Sequence, residues 1–338
     1  MPAPDFTPAE LMDLTGQHFP LLAGPDMEIS PILKGGSDRR YYRLKKHGRP
    51  LHLILVRYTD ARPDNACFFP ATTILMAHGV RVPKVHHHDC ERKLAWIEDL
   101  GALDLWALQE SPWPERRRLY ARTLEEAAVL HRMRPEDLAD EELAQLMTGF
   151  TEELYLWEQN YFFDHFAAHF SAVSAAKMQE VRASAALAGL RRELGALPRT
   201  FVHRDFQSQN VIIREDQPYF IDYQGLRPGR PEYDVASLLY DPYVSFTPAQ
   251  RDDLWAGYQT FRAGDPGWET SDRRYAQCAI QRLMQALGAY ANLALNLGKP
   301  EFLEHIPRAV ENLTHVITRS GVAVELLPLL SLRADAVE

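Results

Sequence analysis

The sequence predicts an α+β fold in two lobes, a small β-rich one spanning residues 1–100 and a larger helical one spanning residues 101–338. Three observations carry that expectation. The texture of the chain changes near Asp99-Leu100-Gly101, from short apolar runs cut by Gly, Pro, Asp and Asn to long stretches of helical periodicity. The 338 residues are enough for two lobes with a sizeable core. Within the helical half, one isolated pair of strand-like runs, near 201–223, encloses a dense polar loop.

Taken in order, "ISPILKGG", "RRYYRLKK", "PLHLILVRY", "VPKVHHHD" and "LAWIEDL" read as strands, each bounded by turn-forming residues. "ACFFPATTILMAHG" interrupts them as a helix that stops at Gly79. After residue 113, "PERRRLYARTLEEAAVLHRM" has Pro at its start and apolar residues at helical spacing. "EDLADEELAQLMTGFTEELYLWEQNYFF" and residues 171–195 continue in that style, and residues 232 to the end return to it. There is no internal repeat and no low-complexity segment.

Composition narrows the function classes. The chain is 46% hydrophobic and 25% charged, as expected of a soluble globular protein. No apolar run is long enough for a bilayer, and "MPAPDFTPAELMDLTGQHF" lacks the basic and apolar regions of a signal peptide, so no membrane is expected. Cys67, Cys90 and Cys278 are far apart, which argues against a disulfide framework or zinc site and for a reducing cytoplasm. A formal net charge of -9 argues against nucleic acid as the partner.

The chemistry lies in "FVHRDFQSQNVII" and "PYFIDYQG". Asn210 follows Asp205 by five residues, and Asp222 follows it by seventeen, after an apolar strand. Two acids and an amide at the ends of adjacent short strands suit a hard divalent cation, since magnesium takes carboxylate, phosphate and water oxygens. Asn210 and Asp222 are the candidate magnesium ligands. Asp205, on the loop, would accept the proton of an attacking hydroxyl. HxDxxxxN followed by a strand-borne Asp is the order that phosphoryl transfer in kinase folds requires. A polar turn with Asp and Asn at turn positions is the plainer reading of the loop alone.

The front end offers a nucleotide site. In "ILKGGSDRRYYRL", Gly35 and Gly36 would let backbone N–H groups approach phosphate and Ser37 would add a donor, although the same residues make an ordinary hairpin turn. Arg57, the charged residue in "LHLILVRY", would pair with phosphates or else sit at the solvent edge of its strand. The backbone from Glu98 to Leu100 would bond an adenine edge. Elsewhere, His86, His87 and His88 alternate on a strand and read as surface. "ERRRLYAR" reads as a solvated helix face. Trp157, Tyr161 and Phe162 read as core packing rather than a stacking platform. Asp234 reads as a helix N-cap or as a buried brace for the catalytic loop.

"FVHRDFQSQNVII", "YFIDYQG" and "GRPEYDVASLLYDPYV" together resemble the aminoglycoside phosphotransferase family. "GSDRRYYRL", "FTEELYLWEQNYF" and the stretch 281–313 are similar to its branch of N-acetylmuramate/N-acetylglucosamine anomeric kinases, which serve peptidoglycan recycling. The resemblance covers nearly the whole chain. It implies a protein-kinase-like fold and a kinase that uses ATP and magnesium on a small-molecule hydroxyl. Asp205 would be catalytic base, Asn210 and Asp222 metal ligands, and His203 a brace. The chain departs from the pattern where Arg57 stands for a phosphate-binding lysine, where the helix after it has no glutamate, and where Gly225 stands for an acid. Choline, homoserine and aminoglycoside kinases, and a nucleotide-binding pseudokinase that regulates a partner, are the alternatives.

Overall fold

The computed structural model describes residues 6–32, 39–48, 52–269 and 271–333. Five strands, β1 (Met27–Ile32), β2 (Arg40–Lys46), β3 (Leu53–Arg57), β4 (Val85–Asp89) and β5 (Leu94–Glu98), form one antiparallel sheet in the order β1-β2-β3-β5-β4. Strand alternation sorts its apolar residues onto two faces. Leu44, Leu53, Leu55, Leu94 and Trp96 pack with Leu11 of the helix Pro8–His18, and the Trp96 indole N–H donates to Thr15. Ile54, Val56, Ala95 and Ile97 pack instead with Phe68, Ala71, Ile74 and Leu75 of the helix Pro63–Ala77. The histidine-rich strand β4 is the sheet edge. There the ring of His87 stacks on His18 at 3.9 Å, and among the described residues no cluster suited to a metal forms.

The rest of the chain is mainly helical, organised around the 25-residue helix Asp272–Asn296, which is about 37 Å long at 1.5 Å per residue. Around it pack the helices Glu152–Tyr161, Pro231–Leu239 and Ile306–Ser320, while Trp113–Leu130 packs on Pro248–Arg262. Two short ladders interrupt the helices. Strand β6 (Thr200–Val202) pairs with β9 (Arg227–Gly229), while β7 (Val211–Arg214) and β8 (Gln217–Phe220) form a hairpin. Glu215 and Asp216 both take positive φ in its two-residue turn, the geometry that matches strand twist. Gly229 is required by the β6–β9 contact, since a Cβ there would lie 2.7 Å from Val202 and 2.9 Å from Phe150.

The two parts meet along residues 99–105. Ile213 N–H donates to the Leu103 carbonyl at 2.7 Å, Phe220 N–H to the Arg81 carbonyl at 2.9 Å, and Arg214 bridges to Glu98 at 2.8 Å. No described helix is long and apolar enough to cross a membrane.

Candidate active site

The loop after β6 turns sharply, because Arg204 sits at φ 78°, a left-handed conformation costly for a side-chain-bearing residue. Asp234 holds it there. Its Oδ2 accepts from the His203 N–H at 2.6 Å and its Oδ1 from the Arg204 N–H at 2.9 Å. Asp234 is fully buried, and its third partner is His131 Nε2 at 3.1 Å. A carboxylate only accepts, so Nε2 carries the proton and Nδ1 accepts from the Tyr258 hydroxyl at 2.8 Å. Burial holds the His131 pKa below its ordinary value, which keeps the ring neutral. Asp234 is thus a brace and not a cap. Its helix begins at Pro231, with Arg230 at the N-cap.

Asp205 follows on that loop. Its Oδ2 accepts from Arg204 Nη1 at 2.7 Å, and Arg282 Nη2 lies 4.0 Å from its Oδ1. Burial alone would raise the carboxyl pKa. The charges of Arg204 and Arg282 outweigh it and bring the value to about 2. The Asn210 amide donates to the Asp205 carbonyl at 2.8 Å, which turns its oxygen the other way. One residue pair further braces the turn: Ser208 donates its N–H and hydroxyl to Asp241 Oδ2 at 2.8 and 2.6 Å.

Asp222, also left-handed at φ 63°, arrives at the same place from β8. Ile221 links the two segments, giving its N–H to the Asn210 carbonyl at 3.0 Å and accepting from His203 Nε2 at 2.9 Å. Asp205, Asn210 and Asp222 are therefore brought together by direct hydrogen bonds between their segments. Asp222 Oδ1 accepts from Arg39 Nη2 at 2.6 Å and from Gln224 Nε2 at 3.2 Å. Both contacts fall on one carboxylate oxygen. The other oxygen and the Asn210 amide oxygen are the candidate donors for magnesium, which takes oxygen ligands and completes its shell with phosphate and water.

The residues expected on the nucleotide side fare differently. Gly35, Gly36 and Ser37 lie outside the described residues. Arg57 is buried at the end of β3, and its register gives it the face of Leu53 and Leu55, which packs toward Pro8–His18. The expectation that Arg57 faces the cleft is therefore replaced. The cleft face carries Ile54 and Val56, opposite Arg43 and Tyr41 of β2. Among the described residues of the sheet, Arg39 is the cation paired with Asp222, its side chain 4% exposed. Asp64, in the first turn of Pro63–Ala77, adds a second negative charge near it. The signal for Arg39 was present in "SDRRYYRL", where Arg39, Tyr41 and Arg43 alternate. Glu98 gives its N–H to the Lys84 carbonyl at 2.8 Å, so that donor is committed, while Leu100 is buried in the connection. Arg43 fixes that connection through Asp99 at 2.8 and 3.1 Å and the Gly101 carbonyl at 2.8 Å.

Residues 28–272 match the family model described as the phosphotransferase enzyme family. The chain belongs to that family. It is 25% identical over 317 residues to the N-acetylmuramate/N-acetylglucosamine kinase of Pseudomonas aeruginosa, covering 91% of this chain and 89% of that protein. It is 27% identical over 320 residues to the enzyme of the same name from Neisseria meningitidis serogroup B, covering 92% and 91%. Among solved structures, the phosphotransferase resembles choline kinase LicA from Streptococcus pneumoniae with a TM-score of 0.62 at 15% identity, over 90% of this chain and 98% of that one. It also resembles an ADP-bound aminoglycoside phosphotransferase with a TM-score of 0.60 at 11% identity, over 96% and 100%. The fold is thus protein-kinase-like, an antiparallel sheet followed by a larger helical part, and the chain is a small-molecule kinase of this family.

Proposed function

We propose that this phosphotransferase moves the γ-phosphoryl group of ATP to a hydroxyl of an amino sugar such as N-acetylmuramate or N-acetylglucosamine. The observation that carries the reading is the convergence of Asp205, Asn210 and Asp222, with Arg39 reaching the same point from the sheet. The names of the relatives support the acceptor class. In this reading residues 1–100 cover the nucleotide and residues 101–338 hold the catalytic loop and acceptor.

Asn210 and Asp222 would hold magnesium, which when bound neutralises phosphate charge. Asp205 hydrogen-bonds the acceptor hydroxyl and aims its oxygen in line with the γ-phosphorus. As the new O–P bond forms and the bond to the β–γ bridging oxygen breaks, the hydroxyl proton passes to Asp205 and ADP leaves. A carboxylate with a pKa of about 2 is a weak base, so Asp205 orients the hydroxyl and takes the proton only as the oxygen loses electron density. Arg39 pairs with Asp222 before nucleotide binds and turns its guanidinium to the phosphates afterwards.

The test is ADP release from the full chain with magnesium-ATP and a panel of N-acetylmuramate, N-acetylglucosamine, choline, homoserine and kanamycin. Turnover with an N-acetylated sugar is expected. Turnover with choline or kanamycin alone overturns the acceptor class, and nucleotide binding without turnover on any of them overturns the kinase reading.

A further inference from the structure

The helix Glu152–Tyr161 contributes more than core packing. Phe162, just past its end, is fully buried, but Trp157 is 51% exposed. The Trp157 ring stacks on Tyr161 with centroids 5.0 Å apart and planes 14° from parallel. Tyr161 meets His165 edge-on at 4.6 Å, and Gly288, one turn before Asn292 on the long helix, lies directly against the Tyr161 ring. Asn296 reaches both Asn292 and His165, at 2.9 and 3.3 Å. The result is an exposed aromatic face rimmed by amides.

Its position is fixed relative to Asp205. Glu158, on the same helix, is buried against the Tyr233 hydroxyl at 2.9 Å and Gln281 at 3.2 Å, and it shares the charge field of Arg204 and Arg282, the two cations beside Asp205. At 3.6 residues per turn, Tyr161 lies about 60° and Trp157 about 100° around the helix from Glu158, to the same side. Gln159 lies on the opposite side and donates to the Leu187 carbonyl at 3.3 Å, so the supporting helix Ala185–Ala196 is there. On the other wall, the helix Asp272–Asn296 runs from Arg282, 4.0 Å from Asp205, past Gly288, which lies against Tyr161, to Asn292 one turn further on. The aromatic face therefore opens on the base side of the cleft.

We propose that this face, Trp157 stacked on Tyr161 with Asn292 at its rim, is the platform on which the pyranose ring of an N-acetylated acceptor lies. The inference rests on the amino-sugar reading and adds where the acceptor binds. A pyranose has an apolar C–H face and a polar edge of hydroxyl and acetamido groups. A flat indole takes the first, and a rim of amides takes the second.

The experiment is steady-state kinetics of the full chain with N-acetylglucosamine and N-acetylmuramate, comparing wild type, Trp157→Ala and Trp157→Phe, with thermal melting and sedimentation alongside. Trp157→Ala should raise KM for the sugar about ten-fold or more, the loss of one aromatic contact. The KM for ATP and the melting temperature should stay within error, and Trp157→Phe should restore most of the sugar affinity. An unchanged sugar KM in Trp157→Ala, while wild type turns the sugar over, overturns the platform and leaves the kinase reading standing. Absence of sugar turnover in wild type overturns both. A change in sedimentation with no change in sugar KM assigns the face to a second copy of the chain and also overturns the platform.

Discussion

Below the cleft, the loop carrying Asp205 and Asn210 is tied by hydrogen bonds to the buried Asp234 and Asp241, by the Arg204 and Arg282 charges beside Asp205, and by the buried His131 behind Asp234. Above it, among the described residues, the sheet reaches the same point through Arg39, which pairs with Asp222 on the lower side. The lower half is set before any ligand arrives, as groups aimed at a developing charge must be. The upper half is joined to the metal-ligand candidate by the Arg39–Asp222 ion pair, while other contacts with the lower half, Arg214 with Glu98 and the Phe220 N–H with the Arg81 carbonyl, lie away from the base.

The largest effect should follow from cutting the lower network at its centre. Asp234→Ala leaves the N–H groups of His203 and Arg204 and the ring of His131 without their acceptor, all in the interior. Loss of about 3–5 kcal/mol of stability is expected, as when one partner of a buried charged pair is removed, read as a lowered urea midpoint. A shift below 1 kcal/mol would mean that the left-handed turn at Arg204 is held by something else. Next comes Asp205→Asn, which keeps the shape of the loop and removes the proton acceptor. Turnover should fall at least ~10²-fold with nucleotide affinity little changed, and near-wild-type turnover would release Asp205 from its role.

The upper half is sharpened by a pair of arginines. Arg39→Ala should weaken magnesium-ATP binding by about ten- to a hundred-fold, the scale of one charge-assisted contact, whereas Arg57→Ala should leave that affinity unchanged and alter stability only. Calorimetry giving the reverse ranking would return the phosphate role to β3. The smallest effect is the pH response of the brace. The folded-state pKa of His131 lies below its ordinary 6.5 because the ring is buried. The unfolded chain therefore binds the proton first as pH falls. The contribution is full above about 6.5 and declines as pH drops through the window beneath it. His131→Gln should flatten that part of the urea midpoint's pH profile, and an unaltered slope would assign the acid loss to other histidines.

How much of this was legible depended on the distance over which the signal ran. Asp205, Asn210 and Asp222 stand within one short stretch, flanked by strands, so order and spacing exposed them. The five strands of the sheet and the helix after β3 were readable from their punctuation, although that helix begins at Pro63. The short strand Arg227–Gly229 was not, because three residues carry no periodicity and its pairing with β6 is tertiary. "LHLILVRY" misled for a physical reason. Residues 53–57 are buried on both faces, so hydrophobicity does not alternate and cannot say which way Arg57 points. Arg39 was obscured by its neighbours, a run of cations of which one finds a carboxylate 183 positions away. Trp157, Tyr161 and Phe162 were grouped because spacing suggests a common face, yet accessibility separates the first from the last.

Gly288 governs how closely the long helix approaches the aromatic face. It sits on the long helix where a Cβ would come within 2.8 Å of the Tyr161 carbonyl oxygen and 2.9 Å of its ring. The gap between the two helices that flank the aromatic face is thereby set by a residue with no side chain. A single added methyl would displace Tyr161 and everything stacked on it, so position 288 works as a width gauge for the groove. Gly288→Ala therefore probes the width of that groove without altering any residue of the Asp205 loop.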